Sequence, residues 1–313
     1  MANTRELRRR IRSVKNTAQI TKAMQMVAAT KMRRAQNQAL SGRPYNLNLS
    51  EALKKLLPLV SVESHPLLRG NDSESKGVVL LSTDKSLCGA LNTNLFRMIL
   101  MDSEISRDDK VIFYTIGKKG RNFVAKSGKN LAADFENLDT VTFRQAVQLS
   151  KLVMDSFLAG EIGDVYIVYP RFGSTLRQEP VKVKLLPIDL ASVILGSPDE
   201  VADDSRIDSG RGGHGDLARM TEDKGDKGKE FLFEPDPDRL LDYILVHNLQ
   251  IKIYQSLLET KASEHSARMI AMQNATDNAL ELVDDLRLTY NQTRQDSITK
   301  ELSEITTAAL AMT

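Results

Sequence analysis

Hydrophobic and small residues recur near the start of the chain at alternating spacings of four and three positions. Such spacing defines the a and d positions of a heptad, which line one face of a helix that packs against another. The seam positions are Leu7, Ile11, Val14, Ala18, Thr21, Gln25, Ala28, Met32, Ala35 and Ala39. Because Thr21, Gln25 and several alanines stand in this seam, we expect thin, close packing. Gly42 and Pro44 predict a stop or kink after about 40 residues, or ~60 Å of helix.

A second and longer heptad pattern occupies the C-terminal part of the chain, where neither Gly nor Pro follows Pro237. Its seam positions are Ile244, Asn248, Ile251, Gln255, Leu258, Ala262, His265, Met269, Met272, Thr276, Ala279, Val283, Leu286 and Tyr290. Periodicity over this length is typical of a coiled coil, and its charges exclude a membrane span. One uninterrupted helix would reach ~110 Å. Helices from opposite chain ends most simply pair antiparallel, with the longer projecting beyond its mate. A helical bundle or a coiled-coil homodimer would show the same periodicity.

Short apolar runs alternate with helical patterns in the middle of the chain. Runs typical of buried strands lie at residues 78–82, 111–116 and 165–169, the last followed by Pro170. Helical patterns lie at residues 91–101, 118–126 and 142–158. This alternation predicts βαβ units and a mostly parallel, Rossmann-like sheet. Residues 174–177 and 181–186 predict an antiparallel pair of strands at its edge.

The predicted fold class is α+β/α: an antiparallel coiled coil of long N- and C-terminal helices with a central Rossmann-like α/β domain. The expected divisions are an N-terminal shaft helix at 1–57, a globular domain at 75–195, a flexible insertion at 196–230 and a C-terminal shaft helix at 236–313. The insertion is predicted from composition, since residues 197–230 hold six Gly and ten acidic against six basic residues.

Positive charge is concentrated at the N-terminal end, although the whole chain has a net charge of only +2. Residues 1–34 contain ten Lys or Arg and one acid, Glu6. Such a run predicts an acidic partner, a membrane surface or a nucleic acid, and solvated helix faces show it too. Nucleic acid is the main alternative, but this stretch lacks aromatic residues on which bases could stack. A basic helix inside an acidic collar would explain both the seam and the charge.

The loops of the predicted sheet lack the sequences that bind nucleotides. Residues 83–90 contain one Gly and match neither G-x-G-x-x-G nor G-x-x-x-x-G-K-[ST]. Asp84, Lys85 and Cys88 could suggest a nucleophile, but no His lies near them in sequence, and such a Cys is more often inert core. The single Cys excludes an internal disulfide and fits a reducing compartment, and the four His are scattered. We therefore expect a mechanical element, without catalytic, cofactor-binding or metal-binding residues.

Seven segments spread along the chain have recognisable combinations of residues. They are 11–17 (IRSVKNT), 20–29 (ITKAMQMVAA), 82–92 (STDKSLCGALN), 234–237 (EPDP), 267–272 (ARMIAM), 290–295 (YNQTRQ) and 298–305 (ITKELSEI). Together they resemble the γ subunit of F-type ATP synthases, through both terminal helices and the middle domain. The resemblance implies a central rotor stalk that couples proton-driven rotation of the c-ring to the conformational cycle of the catalytic β subunits, and that helps to regulate ATPase activity.

The resemblance also implies partners and contact residues. The partners would be the hexamer of α and β subunits, the ε subunit and the c-ring, with one copy of this chain per complex and neither nucleic acid nor a cofactor bound. The β-subunit contacts would be Lys22, Met24, Arg294, Gln295, Thr299 and Glu301. Phe231 and Glu234 would lie at the ε and c-ring end. The chain would sit on the cytoplasmic side of the bacterial plasma (inner) membrane, peripherally, held through the complex.

Two features depart from the family's pattern. Thr307 and Ala308 stand where the family signature has a small Gly-Ala pair. The insertion at 196–230 lies where photosynthetic relatives carry a regulatory loop containing Cys, and it contains none. Control by thiol oxidation is therefore not expected.

Overall fold

The computed structural model describes residues 4–56, 65–106, 110–136, 140–189 and 237–311, so the insertion expected at 196–230 lies outside the described residues. The helices are α1 (Thr4–Leu56), α2 (Pro66–Arg69), α3 (Leu91–Met101), α4 (Ser103–Ser106), α5 (Lys118–Lys126), α6 (Phe143–Leu158) and α7 (Pro237–Ala311). The strands are β1 (Lys76–Leu81), β2 (Val111–Ile116), β3 (Asn130–Phe135), β4 (Asp164–Phe172) and β5 (Gln178–Leu186).

Helices α1 and α7 pair antiparallel, as the sequence predicts. Hydrogen bonds between side chains join Arg8 to Tyr290, Thr21 to Thr276, Gln38 to Tyr254 and Tyr45 to His247. The partners' residue numbers rise along α1 while they fall along α7, so the two helices run in opposite directions. Every predicted seam position of both helices is buried or half-buried, which confirms the two heptad patterns.

Helix α1 does not stop at Gly42 and Pro44. It continues to Leu56 with Pro44 inside it, although an internal proline lacks a backbone donor and costs roughly 3 kcal/mol. Beyond the proline, Leu53 and Leu56 are fully buried in the core of the globular domain. The predicted stop is wrong because burial of the last turns of α1 offsets the local cost.

The five strands form one sheet in the order β3-β2-β1-β4-β5. Strands β1 to β4 are mutually parallel, and β5 is antiparallel to β4. The chain adds β2 and β3 on one side of β1 and then crosses to place β4 on its other side. The direction in which successive strands are added to the sheet therefore reverses between β1 and β4, which confirms the Rossmann-like layout.

The antiparallel edge differs from the predicted one. Strand β5 pairs with β4, and residues 174–177 form the turn between them rather than a strand. Strand β4 continues through Pro170, where it is flanked by β5 alone because its pairing with β1 ends at Val168. Proline is tolerated at a place with one neighbouring strand. Strand β3, at the opposite edge, was not predicted: Leu131, Ala133 and Phe135 alternate with exposed residues, but two adjacent alanines make this alternation weak in the sequence.

Apolar side chains pack on both faces of the sheet. Helix α6, the end of α1 and the beginning of α7 cover one face, where Leu149, Ile167 and Leu245 are fully buried. Helices α3 and α5 cover the other face, around Leu95 and Val124. The shaft helices thus share a core with the sheet, so shaft and globular domain are packed as one body.

Candidate functional site

Helix α7 extends beyond its contacts with α1. We name residues 291–311 the projecting segment, which at 1.5 Å per residue is roughly 30 Å long. Every side chain described in it is exposed except Thr293, which is half-buried. Its apolar residues Ile298, Leu302 and Ile305 recur at helical spacing, and each is exposed. An apolar stripe exposed along one helix face indicates a surface that a partner chain covers.

Two of the expected β-subunit contacts lie on α1. Lys22 is exposed and Met24 is half-buried. Both are within a turn of Thr21, whose hydroxyl lies 2.7 Å from that of Thr276 across the coiled coil. Other basic residues of α1, including Arg12, are also exposed, so much of the positive charge of α1 is accessible to a partner, although Arg8 contacts Tyr290 of α7.

The other four expected contacts lie on the projecting segment. Arg294, Gln295, Thr299 and Glu301 are all exposed. Arg294 is ~27 Å along the helix axis from Thr276, the residue level with Lys22, so the structure does not bring the two sets together. They mark two levels of the shaft. Phe231 and Glu234, expected at the ε and c-ring end, lie outside the described residues.

A Rossmann-like sheet binds its ligand at the carboxyl ends of its strands, where the strand order reverses. Here that crevice lies between β1 and β4. Beside it, Asp84 Oδ1 accepts a hydrogen bond from the Lys118 amide, and Ser82 Oγ accepts one from the Gly120 amide. A Cβ at Gly117 would lie 2.4 Å from the carbonyl oxygen of Ser82, so the loops are in close contact. Side chains of the chain itself therefore occupy two of the free amides at the start of α5, the kind of group that binds anions at helix N-termini.

Helix α7 crosses the same crevice and is held there by polar contacts. Ser263 Oγ donates to the Pro170 carbonyl at 2.9 Å, at the end of β4. Ser266 Oγ donates to the Thr175 carbonyl at 2.7 Å, in the turn between β4 and β5. On the other side, Arg268 Nη2 lies 3.5 Å from the Ser86 carbonyl, in the loop after β1. The shaft helix thus takes the position that a ligand takes in other sheets of this layout.

Four ionisable side chains of α7 are buried at this crossing, and we name them the buried ionic cluster: Lys261, Glu264, His265 and Arg268. Glu264 Oε1 accepts from Arg268 Nη2 at 2.8 Å, and Glu264 Oε2 lies 3.4 Å from Lys261 Nζ. Arg268 Nη1 lies 3.4 Å from His265 Nδ1. Because a guanidinium only donates, Nδ1 is the acceptor in that contact and the imidazole is neutral.

The pKa values within this cluster follow from burial and charge. Burial alone would raise the pKa of the Glu264 carboxyl, but Lys261 and Arg268 outweigh it and hold that pKa below its ordinary value. Burial lowers the pKa of His265 to about 4, and the cations Lys261, Arg268 and Lys31 act in the same direction against Glu264. At neutral pH the cluster therefore holds one carboxylate, two cations and a neutral imidazole.

The thiol of Cys88 lies beneath the loop that Arg268 contacts. It is buried, and the Asn92 side-chain amide donates to its Sγ at 3.4 Å. Burial raises the pKa of this thiol, although its hydrogen bond with Thr83 acts in the opposite direction. The thiol form is unreactive, so the geometry agrees with the interpretation of Cys88 as inert core.

The buried ionic cluster was not anticipated from the sequence. His265 was assigned to the heptad seam, but Glu264 and Arg268 look like an ordinary exposed pair at helical spacing. The one available signal was the density of small polar residues among them, Ser263 and Ser266 included. Only the fold shows that these residues meet the carboxyl edge of the sheet.

An antiparallel two-helix shaft, fixed in the crevice of an α/β domain and projecting beyond it, defines a stalk protein. The family model described as ATP synthase matches residues 3–312. The "ATP synthase gamma chain" of Methylacidiphilum infernorum (isolate V4) is 42% identical, with 100% of each chain covered. Those of Opitutus terrae and Heliobacterium modesticaldum are 38% and 37% identical, with at least 99% of each chain covered. The chain belongs to the ATP synthase gamma chain family.

Solved structures with the same fold agree with this assignment. The rotor of the Euglena gracilis mitochondrial ATP synthase matches with a TM-score of 0.60 at 21% identity, covering 94% of this chain and 98% of that one. A chain of its OSCP/F1/c-ring structure matches with a TM-score of 0.63, covering 99% and 94%. Within the described ranges, no helix combines the length and apolarity that crossing a bilayer would require.

Proposed function

We propose that this chain turns as the central rotor of an F-type ATP synthase and transmits torque between the c-ring and the catalytic β subunits. The observation that carries the proposal is the antiparallel shaft, which shares a core with the globular domain at one end and projects with an exposed apolar stripe at the other. Such a shape suits a mechanical element. The family comparisons do not support the nucleic-acid alternative.

The proposed partners are the hexamer of α and β subunits around the shaft, and the ε subunit and c-ring at the other end. One copy of the chain would serve each complex. The exposed basic face of α1 supports an acidic partner around the shaft. Charges at a surface act only within about 8–10 Å at physiological salt, so this partner must lie in close contact with the helix. We place the complex at the bacterial plasma (inner) membrane, with this chain peripheral on its cytoplasmic side.

We assign the β-subunit contacts to two levels. At the first level, on α1, Lys22 and Met24 would contact the acidic lever region of the β subunit. At the second level, on the projecting segment, the catch loops of the β subunit would be contacted by Arg294, Gln295, Thr299 and Glu301. The exposure of five of these contact residues, all except the half-buried Met24, supports this assignment, because a contact residue must be accessible before assembly. Phe231 and Glu234 are assigned to the ε and c-ring end on the resemblance alone.

The experiment reconstitutes the chain with the α, β, ε and membrane-sector subunits in sealed vesicles and measures ATP synthesis. Replacing Arg294 and Glu301 by Ala should reduce the rate, whereas the neighbouring exposed residues Asp296 and Lys300, replaced by Ala, should not. Lys22→Gln should also reduce the rate, whereas Lys126→Gln, at an exposed position on the globular domain, should not. Vesicles without the chain should synthesise no ATP. Equal synthesis with and without it would overturn the rotor proposal, and equal effects of contact and control variants would overturn the residue assignment.

A further inference from the structure

The globular domain and the shaft meet through two kinds of contact. Near the start of α7, Leu245 and its neighbours pack against the sheet mainly through apolar surface, and the polar contact there, between Asp242 and His65, has an exposed carboxylate. Further along, Ser263 and Ser266 donate hydrogen bonds of 2.9 and 2.7 Å to the globular domain, and Arg268, held within α7 by Glu264, lies 3.5 Å from the Ser86 carbonyl. The hydrophobic effect is non-directional, so close apolar packing defines the orientation of a helix less strictly than directional contacts do. Hydrogen bonds depend on distance and angle, so the polar contacts fix one orientation.

The polar contacts reach the sheet on both sides of the crevice. Ser263 and Ser266 bind the β4 side, through the carbonyls of Pro170 and Thr175. Arg268 reaches the β1 side, at the Ser86 carbonyl. Contacts on both sides oppose rotation of α7 in either direction about its own axis. Arg268 is itself held by Glu264, which Lys261 also contacts.

The stability of these contacts does not by itself explain their presence. Replacing a buried ion pair by apolar residues of similar volume is often neutral or stabilising, because desolvation offsets the attraction between the charges. A shaft that only needed to stay attached could use the apolar packing already present lower on α7. A shaft that must not turn within its globular domain needs directional contacts.

We propose that the buried ionic cluster, with Ser263 and Ser266, is a torque joint that locks the shaft helix into the crevice of the globular domain. The crevice of the Rossmann-like sheet would thus hold a part of the same chain as its ligand. Glu264 and Arg268 are positioning residues, acting through the orientation of α7. This proposal rests on the proposed rotor function.

The test uses the assembled complex in sealed vesicles. A triple variant, Lys261→Met, Glu264→Gln and Arg268→Met, removes the three charges together, so that none is left buried without its partners. The matched control is Arg121→Met with Asp134→Asn, an exposed ion pair of 3.2 Å on the globular domain. A second variant, Ser263→Ala with Ser266→Ala, removes the two hydroxyl contacts and keeps the charges.

Two rates are measured, ATP hydrolysis and the proton pumping that it drives against an increasing opposing gradient. In the triple variant, hydrolysis should continue while protons pumped per ATP under load fall by about threefold or more, because contacting groups that act as a unit are lost together. The double serine variant should show a smaller loss in the same direction. The control should match the parent.

A disulfide across the joint distinguishes two explanations for reduced pumping in the triple variant: loss of the joint itself and a general loss of structure. Thr175→Cys and Ser266→Cys, added to the triple variant with Cys88→Ser, place one thiol on each side of the contact in which the Ser266 hydroxyl binds the Thr175 carbonyl. Oxidation by diamide should form the disulfide and restore pumping under load, and dithiothreitol should abolish the recovery. Unchanged pumping in the triple variant, or a failure of the disulfide to restore it, would overturn the joint. If vesicles lacking the chain pump as well as the parent, the rotor function itself fails.

Discussion

The middle and the C-terminal part of α7 carry similar residues in different surroundings. At the crossing with the sheet, Glu264 and Arg268 are 5% and 10% exposed and 2.8 Å apart. On the projecting segment, Lys300 and Glu304 have the same helical spacing but are both 68% exposed and 3.9 Å apart. The sequence pattern of the two pairs is alike. Their difference shows that the function of a charged pair on this shaft is decided by what the fold places beside it.

The apolar residues give the same comparison. The seam of α7 is covered by α1 and the globular domain as far as Tyr290. Beyond it, Ile298, Leu302 and Ile305 continue at helical spacing without such cover and are exposed. Part of α7 is thus stabilised within the chain, and the projecting segment is built for contact with other chains.

The largest expected difference between the two regions concerns the carboxylates. Glu264→Gln leaves Lys261 and Arg268 buried beside a neutral group, and should lower the free energy of unfolding by about 3–5 kcal/mol. Glu304→Gln, the same substitution on the projecting segment, should change it by less than about 0.5 kcal/mol. Urea denaturation of the isolated chain, followed by circular dichroism, measures both. Similar losses would show that burial does not distinguish the two pairs.

A matched pair of leucines tests the apolar part of the comparison. Leu245 is fully buried, so Leu245→Ala should cost about 2–5 kcal/mol through lost transfer energy and a cavity. Leu302 is 57% exposed, so Leu302→Ala should cost less than about 0.5 kcal/mol in the isolated chain. In the assembled complex, Leu302→Ala should weaken binding of the chain to the α and β subunits. An unchanged affinity would show that the exposed stripe is not covered on assembly.

Acid should act on the buried region first, through His265. Its pKa is about 4 in the folded chain, against an ordinary value of 6.5, so between these values the unfolded chain binds a proton that the folded chain does not. Stability therefore falls as the pH is lowered from 6.5 toward 4, by about 1 kcal/mol per pH unit. The lowered pKa of Glu264 adds a loss in the same direction below 4.5. In the His265→Gln variant, the urea midpoint should no longer fall as the pH is lowered from 6.5 to 5. If it falls as steeply as in the parent, a group other than His265 causes the pH dependence.

The sequence predicted those parts of the fold that repeat along one dimension. Heptad spacing located the seams of both helices, and the apolar runs located β1, β2 and β4, because each pattern is contained in neighbouring residues. The stop at Pro44 was wrong because the cost of proline is local, whereas the burial of Leu53 and Leu56 that offsets it comes from distant residues. The buried ionic cluster was missed for the same reason. The proposed β-subunit contacts remain predictions, since their partners are other chains.

The boundary between the two regions of α7 lies at Tyr290, and it gives the smallest expected effect. The guanidinium of Arg8 donates to Tyr290 Oη at 3.0 Å and lies 5.7 Å from the centre of its ring. Tyr290→Phe removes the hydrogen bond and keeps the ring, so the loss should be about 0.5 kcal/mol or less at this exposed position. Tyr290→Ala removes both contacts and should cost about 1 kcal/mol.

A double-mutant cycle with Arg8→Ala isolates the contact itself. If the contact between Arg8 and Tyr290 holds the two helices together at this end of the coiled coil, Tyr290→Ala should lower the free energy of unfolding less in the Arg8→Ala variant than in the parent. In that variant the interaction between the two residues is already lost. Amide exchange should also quicken in the first turns of α1, which this contact holds against α7, and remain unchanged in the projecting segment. Faster exchange in both the first turns of α1 and the projecting segment would contradict this boundary. It would show that α1 also stabilises residues of α7 beyond Tyr290, which the structure shows as exposed.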